Sequence, residues 1–242
     1  MSEADTSRPR SLSWFVTGTD TGVGKTWFSA ALLQALARHH RRVVGMKPVA
    51  AGSLFAGGVE TNDDVLALRA ASTVQVPPAL DNPVLLPDPL SPHIAAARVS
   101  AHIDIAHLVA CHRQLLGLAD AVVVEGAGGF HVPFSDSETG ADFAVALGLP
   151  VLLVVGLRLG CLNHALLTAE AIKARGLVLA GWVANRIDPT MLAQEENIAF
   201  LRARLPAPLL ADLPWQPQAG ASAAKAAKAA KAPRIELPAA WQ

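Results

Sequence analysis

Residues 18–26 read Gly-Thr-Asp-Thr-Gly-Val-Gly-Lys-Thr and lie between an apolar run and an amphipathic one. Glycines in such a stretch let backbone N–H groups close around phosphate oxygens, while a lysine neutralises the β- and γ-phosphates and a hydroxyl reaches Mg²⁺. Five residues separate Gly18 from Gly24, where the usual pattern has four, so this is a variant of the phosphate-binding loop. The stretch predicts a strand, a loop and a helix, with Lys25 exposed on the loop.

On both sides of this loop, short apolar runs alternate with longer amphipathic ones, as in βα units around a parallel sheet. Residues 151–155 are apolar on both faces, as a central parallel strand is when helices cover both sides. The predicted strands are 12–17, 43–47, 121–125, 151–155 and 178–184, with a candidate sixth at 209–211. The predicted helices are 25–39, 64–71, 103–116, 141–147, 163–174 and 189–205. We therefore expect an α/β protein with a three-layer P-loop NTPase-like fold, in which helices flank a mostly parallel central sheet.

The composition excludes several classes of protein. Hydrophobic residues make up 52% of the 242 residues and charged ones 17%, which is too apolar for a disordered chain. Lys+Arg and Asp+Glu number 20 each, so the chain lacks the basic field that holds nucleic acid. Its apolar runs are shorter than the ~20 residues of a membrane span, and the polar residues 1–11 do not resemble a signal peptide. With two cysteines, Cys111 and Cys161, the chain is expected to be a cytoplasmic enzyme that contacts neither nucleic acid nor a membrane.

The domain organisation follows from changes in composition along the chain. We expect a disordered N-terminal segment at 1–11, one P-loop domain at 12–217 and a low-complexity Ala/Lys tail at 218–242. Residues 77–92 are too rich in proline for a helix or a central strand and are predicted to form a surface loop. The tail repeats an Ala-Ala-Lys triplet with no large apolar side chain in the repeat, so we expect it to be solvated.

Two further groups carry candidate chemistry. The predicted strand 121–125 ends in Glu125, and an acid at the end of a neighbouring strand holds the magnesium shell in nucleoside-triphosphate enzymes. Gly126, Ala127 and Gly128 follow, and small residues let the backbone approach a ligand closely. Lys47 ends another predicted strand and points toward the crevice where open α/β sheets bind ligands, although a lone lysine at a strand end is more often solvated.

Several motifs then occur in a fixed order, at residues 18–26, 47–50, 91–93, 125–129, 160–165 and 181–185. Together they resemble the dethiobiotin synthetase family, and the resemblance runs from about Leu12 to Trp215. The loop alone would indicate only the wider P-loop superfamily. The resemblance implies a ligase that uses ATP as co-substrate and Mg²⁺ as cofactor. In that family, 7,8-diaminononanoate captures CO₂ as a carbamate, ATP phosphorylates the carbamate, and ring closure gives dethiobiotin, ADP and phosphate.

The resemblance also implies roles for particular residues. Lys47 and Lys25 match the catalytic lysines, and Thr26, Asp64 and Glu125 match the metal positions, with Asp63 as the competing candidate for Asp64. The positions that match nucleotide contacts are Gly22, Val23, Gly24, Lys25, Thr26, Trp27, Asp64, Glu125, Gly126, Ala127, Gly128, Asn185, Arg186, Leu205, Pro206, Ala207 and Asp212. Those that match substrate contacts are Thr21, Lys47, Ala51, Gly160, Cys161, Leu162 and Asn163.

Asn185 matches the position that reads adenine, where a side-chain amide pairs with the edge of the ring. The family is a homodimer with composite active sites: the partner subunit catches the substrate carboxylate at the start of the helix that follows Gly160. Two departures from the family are visible. Ala51 stands where the family often has Ser, so that a backbone N–H or Ser53 would have to replace the hydroxyl, and Gly22 stands where some members carry Glu.

Two other readings of the same loop are a different P-loop ATP-dependent ligase and a partition-type switch ATPase. Ligases that amidate a cofactor precursor usually carry a glutaminase domain, for which this chain has no room. Switch ATPases have an extra lysine early in the loop, where this chain has Thr19, Asp20 and Thr21. Both features favour the synthetase.

Overall fold

The structure, a computed structural model, describes residues 11–216 and 235–242. Its strands are β1 (Leu12–Gly18), β2 (Val43–Met46), β3 (Val49–Ala51), β4 (Leu54–Ala56), β5 (Val59–Thr61), β6 (Val84–Leu86), β7 (Ala121–Gly129), β8 (Val151–Leu157), β9 (Leu179–Arg186) and β10 (Leu209–Leu213). Its helices are α1 (Lys25–Leu36), α2 (Asp63–Ala71), α3 (Pro78–Asp81), α4 (Pro92–Arg98), α5 (Ile105–Leu118), α6 (Gly140–Leu147), α7 (Cys161–Ala174) and α8 (Gln194–Arg204), with a 3₁₀ turn at Ala239–Trp241.

Six of the strands form one sheet in the order β10-β9-β8-β1-β7-β2, and every pair in it is parallel. These six strands correspond to the six predicted ones. In β8 all seven residues are buried, as expected for a central strand covered on both faces. Because the strands are parallel, the loops after β1, β2, β7 and β9 all leave from the same edge of the sheet.

A hydrophobic core lies on each face of the sheet. One face is covered by α4 to α8, whose side chains include Leu108, Phe143 and Leu201. The other is covered by α1 and α2, which contribute residues such as Phe28 and Leu68. The predicted three-layer P-loop NTPase-like fold is therefore confirmed. Within the described residues, no helix is long and apolar enough to cross a membrane.

The proline-rich segment departs from the prediction of a surface loop. It contains α3, the short strand β6 that pairs with β3, and the start of α4. Pro78 and Pro92 each lie at the beginning of a helix. Proline is tolerated there because the first N–H groups of a helix have no partner within the helix. The composition alone does not show this, and the β4–β5 hairpin was also missed.

Two predicted helix boundaries differ from the structure by three residues or more, and the others by one or two. The helix predicted at 25–39 ends at Leu36, and the helix predicted at 189–205 begins at Gln194. In the second case Asp188 accepts hydrogen bonds from the backbone N–H and the hydroxyl of Thr190, at 2.9 and 2.7 Å. This local turn competes with the helix and delays its start.

Residues 235–242, called here the C-terminal segment, do not follow the expectation of a solvated tail. Ile235, Leu237 and Trp241 pack against the core on the α1–α2 face. The rings of Trp241 and Trp14 lie 4.9 Å apart, and the Glu236 N–H donates to the Leu210 carbonyl oxygen at 3.0 Å. The prediction of a solvated tail rested on the Ala/Lys repeat, whereas the apolar side chains that pack against the core lie after this repeat.

Other parts of the predicted termini lie outside the described residues, namely 1–10 and 218–234. Ser11, which was expected to belong to the disordered N-terminal segment, is ordered by the fold. Its hydroxyl donates to the carbonyl oxygens of Leu116 and Ala119, both at 2.9 Å.

Candidate active site

The phosphate-binding loop joins the carboxyl end of β1 to the first residue of α1. Gly22 and Gly24 have φ of 74° and 90°, a left-handed conformation that glycine adopts without steric cost. A Cβ at Gly24 would also collide with Nδ2 of Asn185. The loop therefore requires glycine at position 24 both for its backbone conformation and for the side chain packed against it.

Three side chains with oxygen ligands meet beside this loop. The Thr26 Oγ1 lies 2.8 Å from Oδ1 of Asp64 and 2.8 Å from Oε1 of Glu125. Asp64 lies in the first turn of α2, where its backbone N–H donates to the side chain of Asn62 at 2.9 Å. The structure thus places Asp64, and not its neighbour Asp63, next to Thr26.

Lys47 lies directly after β2, and its side chain is only 5% exposed. Its Nζ is 2.7 Å from Oε1 of Glu125 and 2.8 Å from Oδ2 of Asp64. Burial lowers the pKa of Lys47, but the two carboxylates outweigh burial and hold that pKa above its usual value. Burial likewise raises the pKa of Asp64, and the Lys47 ammonium outweighs it, so that the pKa of Asp64 lies below its usual value. Lys47 and Asp64 therefore form an ion pair within the site, and Glu125 contacts the same ammonium.

The backbone of Lys47 is hydrogen-bonded to two residues that were not predicted to belong to the site. Its N–H donates to the Asp81 carbonyl oxygen, and its own carbonyl oxygen accepts from Nδ2 of Asn82, each at 2.7 Å. Asp81 is 3% exposed and forms an ion pair with Arg69 at 2.6 Å. No local pattern could have shown this, because the contacts join Lys47 to a distant proline-rich segment.

Lys25 is buried, contrary to the expectation of an exposed loop side chain. It is 7% exposed, and its Nζ donates to the Asp20 carbonyl oxygen at 3.2 Å. Burial, assisted by the positive charge of Lys47, lowers the pKa of Lys25 to about 8. The two lysines of the site thus differ: carboxylates contact the Lys47 ammonium directly, whereas among the described residues the Lys25 ammonium donates only to a carbonyl oxygen.

The cluster of Thr26, Asp64 and Glu125 has the donor chemistry of a magnesium site. Hydroxyl and carboxylate oxygens are hard ligands of the kind that Mg²⁺ takes. The Glu125 Oε2 is buried and has no hydrogen-bond partner among the described residues, which leaves an acceptor free for a cation or for water bound to it. These residues therefore fit the metal that the resemblance implies.

The glycine-rich end of β7 passes close to the loop. Gly126 leaves room for the Phe15 ring, since a Cβ there would lie 3.0 Å from Cζ of that ring. Gly128 has a φ of 54°, and a Cβ on it would lie 3.6 Å from Oγ1 of Thr21. The predicted substrate contact Thr21 and the predicted nucleotide contacts Gly126, Ala127 and Gly128 are thus neighbours.

The predicted adenine side of the site is organised by Asn185 and Arg186, the last residues of β9. Asn185 is 4% exposed, and its Nδ2 donates to the Val23 carbonyl oxygen at 2.8 Å, while its Oδ1 accepts no hydrogen bond from the residues that the structure describes. Arg186 forms ion pairs with Asp212 at 2.7 Å and with Glu195 at 2.5 Å. The hydrogen bonds to both carboxylates raise the pKa of Arg186.

Other predicted nucleotide contacts divide between core and surface. The Leu205 side chain is buried in the core, so that only its backbone can face a ligand, while Pro206 is exposed and Ala207 half-buried. Trp27 packs partly buried against the α1–α2 core. Gly22 has open space around it.

The departure at position 51 has a structural consequence. Ala51 ends β3, and its carbonyl oxygen lies 3.4 Å from Nδ2 of Asn62, which also donates to Gly52 at 2.8 Å. The hydroxyl of Ser53, expected as a replacement donor, is already donated to Glu60 at 2.5 Å. The backbone N–H groups of Gly52 and Ser53 also have acceptors, the carbonyl oxygens of Leu86 and Pro87 at 3.0 and 3.1 Å, so neither expected replacement is free in this turn.

Gly160, Cys161, Leu162 and Asn163 form the start of α7, with Gly160 in a left-handed conformation at a φ of 96°. Cys161 is 1% exposed, and burial raises the pKa of its thiol, which fits a packing role. Leu162 is half-buried and Asn163 is exposed. Arg158 lies directly after β8, and its guanidinium forms an ion pair with the carboxylate of Asp20 in the phosphate loop.

Solved structures similar to this chain have the same architecture. The MinC:MinD cell division protein complex of Aquifex aeolicus matches with a TM-score of 0.55 and 16% identity, over 89% of this chain and 86% of that one. The ParA family ATPase of Chlorobium tepidum TLS matches with a TM-score of 0.55 and 14% identity, over 90% of each chain. The septum site-determining protein MinD of Pyrococcus horikoshii OT3, complexed with Mg-ADP, matches with a TM-score of 0.54 and 20% identity, over 89% of this chain and 86% of that one.

The fold is thus that of a P-loop ATPase. Residues 13–223 match the family described as an AAA domain, and the chain belongs to that family.

Proposed function

We propose that the protein is an ATP- and Mg²⁺-dependent ligase that carboxylates 7,8-diaminononanoate and closes the cyclic urea of dethiobiotin. The observation that carries this proposal is the buried Lys47 ammonium beside the phosphate loop, held at 2.7–2.8 Å by Glu125 and Asp64. The reaction brings two anions, a carbamate and a γ-phosphate, into contact. A preorganised cation in a site that excludes water lowers the cost of that encounter.

The proposed reaction has three steps. One amine of the diamine attacks CO₂, forming a C–N bond and losing a proton to give a carbamate. A carbamate oxygen attacks the γ-phosphorus of ATP in line, and the bond to ADP breaks to give a carbamic–phosphoric anhydride. The second amine then attacks the carbonyl carbon, loses a proton and expels phosphate, which closes the ring. The protein contributes orientation and charge neutralisation.

Each group in the site has a role in this scheme. Lys25 and the N–H groups of the phosphate loop hold the β- and γ-phosphates, and Lys47 holds the carbamate and the migrating phosphoryl group. Thr26, Asp64 and Glu125 hold Mg²⁺, which supplies charge neutralisation at the phosphates. The Mg-ADP bound to the MinD of similar fold supports a magnesium nucleotide as ligand.

The proposal extends to a homodimer with composite sites. In this scheme the start of α7, where Gly160 and Asn163 are exposed, receives the substrate carboxylate from the site of a partner subunit. The N-terminus of a helix binds anions through its free N–H groups and its dipole. Thr21 contacts the diamine in this scheme, and Asn185 accepts from adenine.

A partition-type switch ATPase is the second candidate, and the similarity in fold to MinD and ParA favours it. Such an ATPase would turn over ATP without any diamine. The residues at the start of the loop, Thr19, Asp20 and Thr21, do not supply the extra lysine expected of that class.

The test is to incubate the protein with isotope-labelled bicarbonate, the diamine, ATP and Mg²⁺, and to follow the label by mass spectrometry. We expect label in dethiobiotin, in a one-to-one ratio with ADP. ATP turnover that is independent of the diamine, with no labelled product, would support the switch ATPase.

Lys47→Gln provides the sharpest variant for this assay. We expect it to bind ATP but to form product ~10²–10³-fold more slowly, because one preorganised charge is lost where the anhydride forms. Lys173→Gln, at an exposed position in the last turn of α7, is the matched control and should leave the rate unchanged. Product formation by Lys47→Gln at the rate of the unsubstituted protein would contradict the role of Lys47.

A further inference from the structure

Lys47 occupies the point at which the two candidate metal-binding carboxylates converge. Its Nζ lies 2.8 Å from Oδ2 of Asp64 and 2.7 Å from Oε1 of Glu125, with the Gly126 carbonyl oxygen at 3.4 Å. Lys47 is 5% exposed and Glu125 is fully buried, whereas the Asp64 side chain is 33% exposed, so water screens the Lys47–Glu125 pair little and the Lys47–Asp64 pair more. The ammonium is therefore the counter-ion that holds the two acids together.

Thr26 cannot do the same work. Its Oγ1 is 2.8 Å from an oxygen of Asp64 and 2.8 Å from an oxygen of Glu125, but a hydroxyl has one proton and can donate it to only one of them. The other short contact brings two oxygen lone pairs together. The positive charge of Lys47, shared between both carboxylates, offsets this repulsion.

We propose that Lys47 is an internal cation that competes with the divalent metal for Asp64 and Glu125, and that it leaves them when a nucleotide brings the metal in. This inference rests on the magnesium site of the proposed function and adds what controls its occupancy. A divalent ion and an ammonium repel each other at the same pair of oxygens. The nucleotide's phosphates supply new negative charge, toward which the flexible four-carbon stem of Lys47 can swing.

This exchange makes loading of the site conditional. A bare divalent ion has to displace an ammonium that keeps two short contacts, whereas a metal–nucleotide complex brings anions that accept the displaced charge. Lys47 therefore reaches the reacting phosphate only when metal and nucleotide are both in place.

The test measures binding of Mn²⁺ alone to the full-length protein, by electron paramagnetic resonance, without nucleotide or diamine. We expect Lys47→Met to bind Mn²⁺ at least about tenfold more tightly than the unsubstituted protein, because the competing charge is gone. Lys25→Met is the matched control. It removes an equal charge from the same site, but the Lys25 Nζ contacts the Asp20 carbonyl oxygen and attracts the two carboxylates only from a longer distance, so we expect a clearly smaller gain than in Lys47→Met.

Two further variants make the outcome decisive. Adding Asp64→Asn to Lys47→Met should remove the gain, which shows that Mn²⁺ binds at these carboxylates. If Lys47→Met is too unstable to handle, Lys47→Gln carries the same test, with the Mn²⁺-induced rise in melting temperature as a second readout. No gain in Lys47→Met and Lys47→Gln, or an equal gain in Lys25→Met, overturns the proposal.

The result is separate from that of the labelled-bicarbonate assay. Labelled dethiobiotin without a gain in Mn²⁺ affinity rejects the exchange and leaves the proposed function standing. A gain in affinity without labelled product rejects the proposed function and leaves the exchange standing.

Discussion

Lys25 is a buried cation whose ammonium contacts a carbonyl oxygen rather than a carboxylate, and its burial has a cost. Its pKa of about 8 lies below the usual value of 10.5, so the folded state holds the proton of Lys25 less tightly than the unfolded chain does. Below pH 8 this difference opposes folding, because the protonated form is favoured in the unfolded state. The buried Lys25 ammonium therefore lowers the stability of the fold, and its role is in binding rather than in stabilisation.

Lys25→Ala should therefore lose ATP turnover without losing stability. We expect the rate of ATP hydrolysis to fall by at least about 10²-fold, since the positive charge that neutralises the phosphates is removed. The melting temperature at pH 7 should stay the same or rise, because an unfavourable buried charge has gone. Calorimetry and a phosphate-release assay measure both effects, and a large drop in melting temperature would show that Lys25 holds the loop together.

His112 gives the fold a predictable weakness in acid. It is 3% exposed on α5, its Nε2 lies 2.9 Å from the Ser13 hydroxyl oxygen, and burial, with a smaller effect of Arg113, lowers its pKa to about 4. Between its usual pKa of 6.5 and this value, the unfolded chain binds the proton and the folded protein does not. Stability is therefore lost as the pH falls from 6.5 to 4, by about 3 kcal/mol.

The measurement is urea unfolding at pH 7 and pH 4.5, with His112→Gln compared with the unsubstituted protein. His112→Gln should lose less stability between the two pH values, by about 2–3 kcal/mol. His39→Gln, at an exposed position after α1, is the matched control and should keep the full loss. Equal acid sensitivity in His112→Gln and the unsubstituted protein would exclude His112 as the cause.

At this scale the sequence predicts which residue types meet, but not how each is buried. The loop motif and the predicted strand ends were enough to predict that Thr26, Lys47 and Glu125 lie at one edge of the sheet. They did not distinguish Asp64 from Asp63, because that choice depends on the Asn62 cap and on the rotation of α2. Contacts between segments distant in the chain leave no local pattern.

Among the elements, the C-terminal segment compensates for an unequal covering of the sheet. Helices α4 to α8 pack on one face, while α1 and α2 alone pack on the other within the described residues. The segment lies on the second face, where Ile235, Leu237 and Trp241 join a core that includes Leu210 and Trp14. It takes the place of a further helix beside β10.

Deletion of residues 235–242 should consequently destabilise the fold. We expect the melting temperature to fall by about 5–10 °C, from the loss of partly buried apolar side chains. The chain contains no tyrosine, so its near-ultraviolet circular dichroism is dominated by tryptophan and should lose the signal of the Trp14–Trp241 pair, whose rings lie 4.9 Å apart.

Point variants separate this packing from an effect of chain length. Trp241→Ala should reproduce most of the drop in melting temperature. Glu236→Ala should not, because the Glu236 side chain is exposed and its backbone N–H still donates to Leu210. A deletion that melts within about 1 °C of the full chain would show that the segment contributes nothing.

The elements that the sequence predicted are those with a regular hydrophobic period. All six strands of the sheet were located, since apolar runs are the direct result of burial on both faces. The short elements α3, α4 and β6 were missed because proline usually ends regular structure, and only a position at the start of a helix makes it compatible. The C-terminal segment was missed because the Ala/Lys repeat before it dominated the composition.

For the whole molecule, the composite site can be tested by mixing two inactive variants. Lys25→Ala removes a phosphate contact, and Asn163→Asp places a carboxylate where the substrate's own carboxylate is expected. In a mixed dimer one site has both lesions, while the other combines an intact Lys25 with an intact Asn163. After random exchange about half of the dimers are mixed, so roughly a quarter of the original activity should return.

The matched control is a mixture of Lys25→Ala with Lys25→Met, whose lesions share one position and cannot complement each other. Activity is followed as labelled dethiobiotin after exchange has been verified by native mass spectrometry. If the first mixture stays as inactive as the second, Lys25 and Asn163 do not serve the same site from different chains.

The packing of Trp241 also determines how the protein can be oriented on a support. Its ring contacts Trp14 in the first half of β1, and its carbonyl oxygen lies 2.9 Å from Nε2 of His40, just after α1. The phosphate loop follows the last residue of β1, a strand of seven residues that spans about 20 Å. A tether attached to Gln242 is therefore on the side of the molecule opposite the phosphate loop. Protein captured on a sensor surface by that tether will hold its nucleotide-binding edge toward the solution.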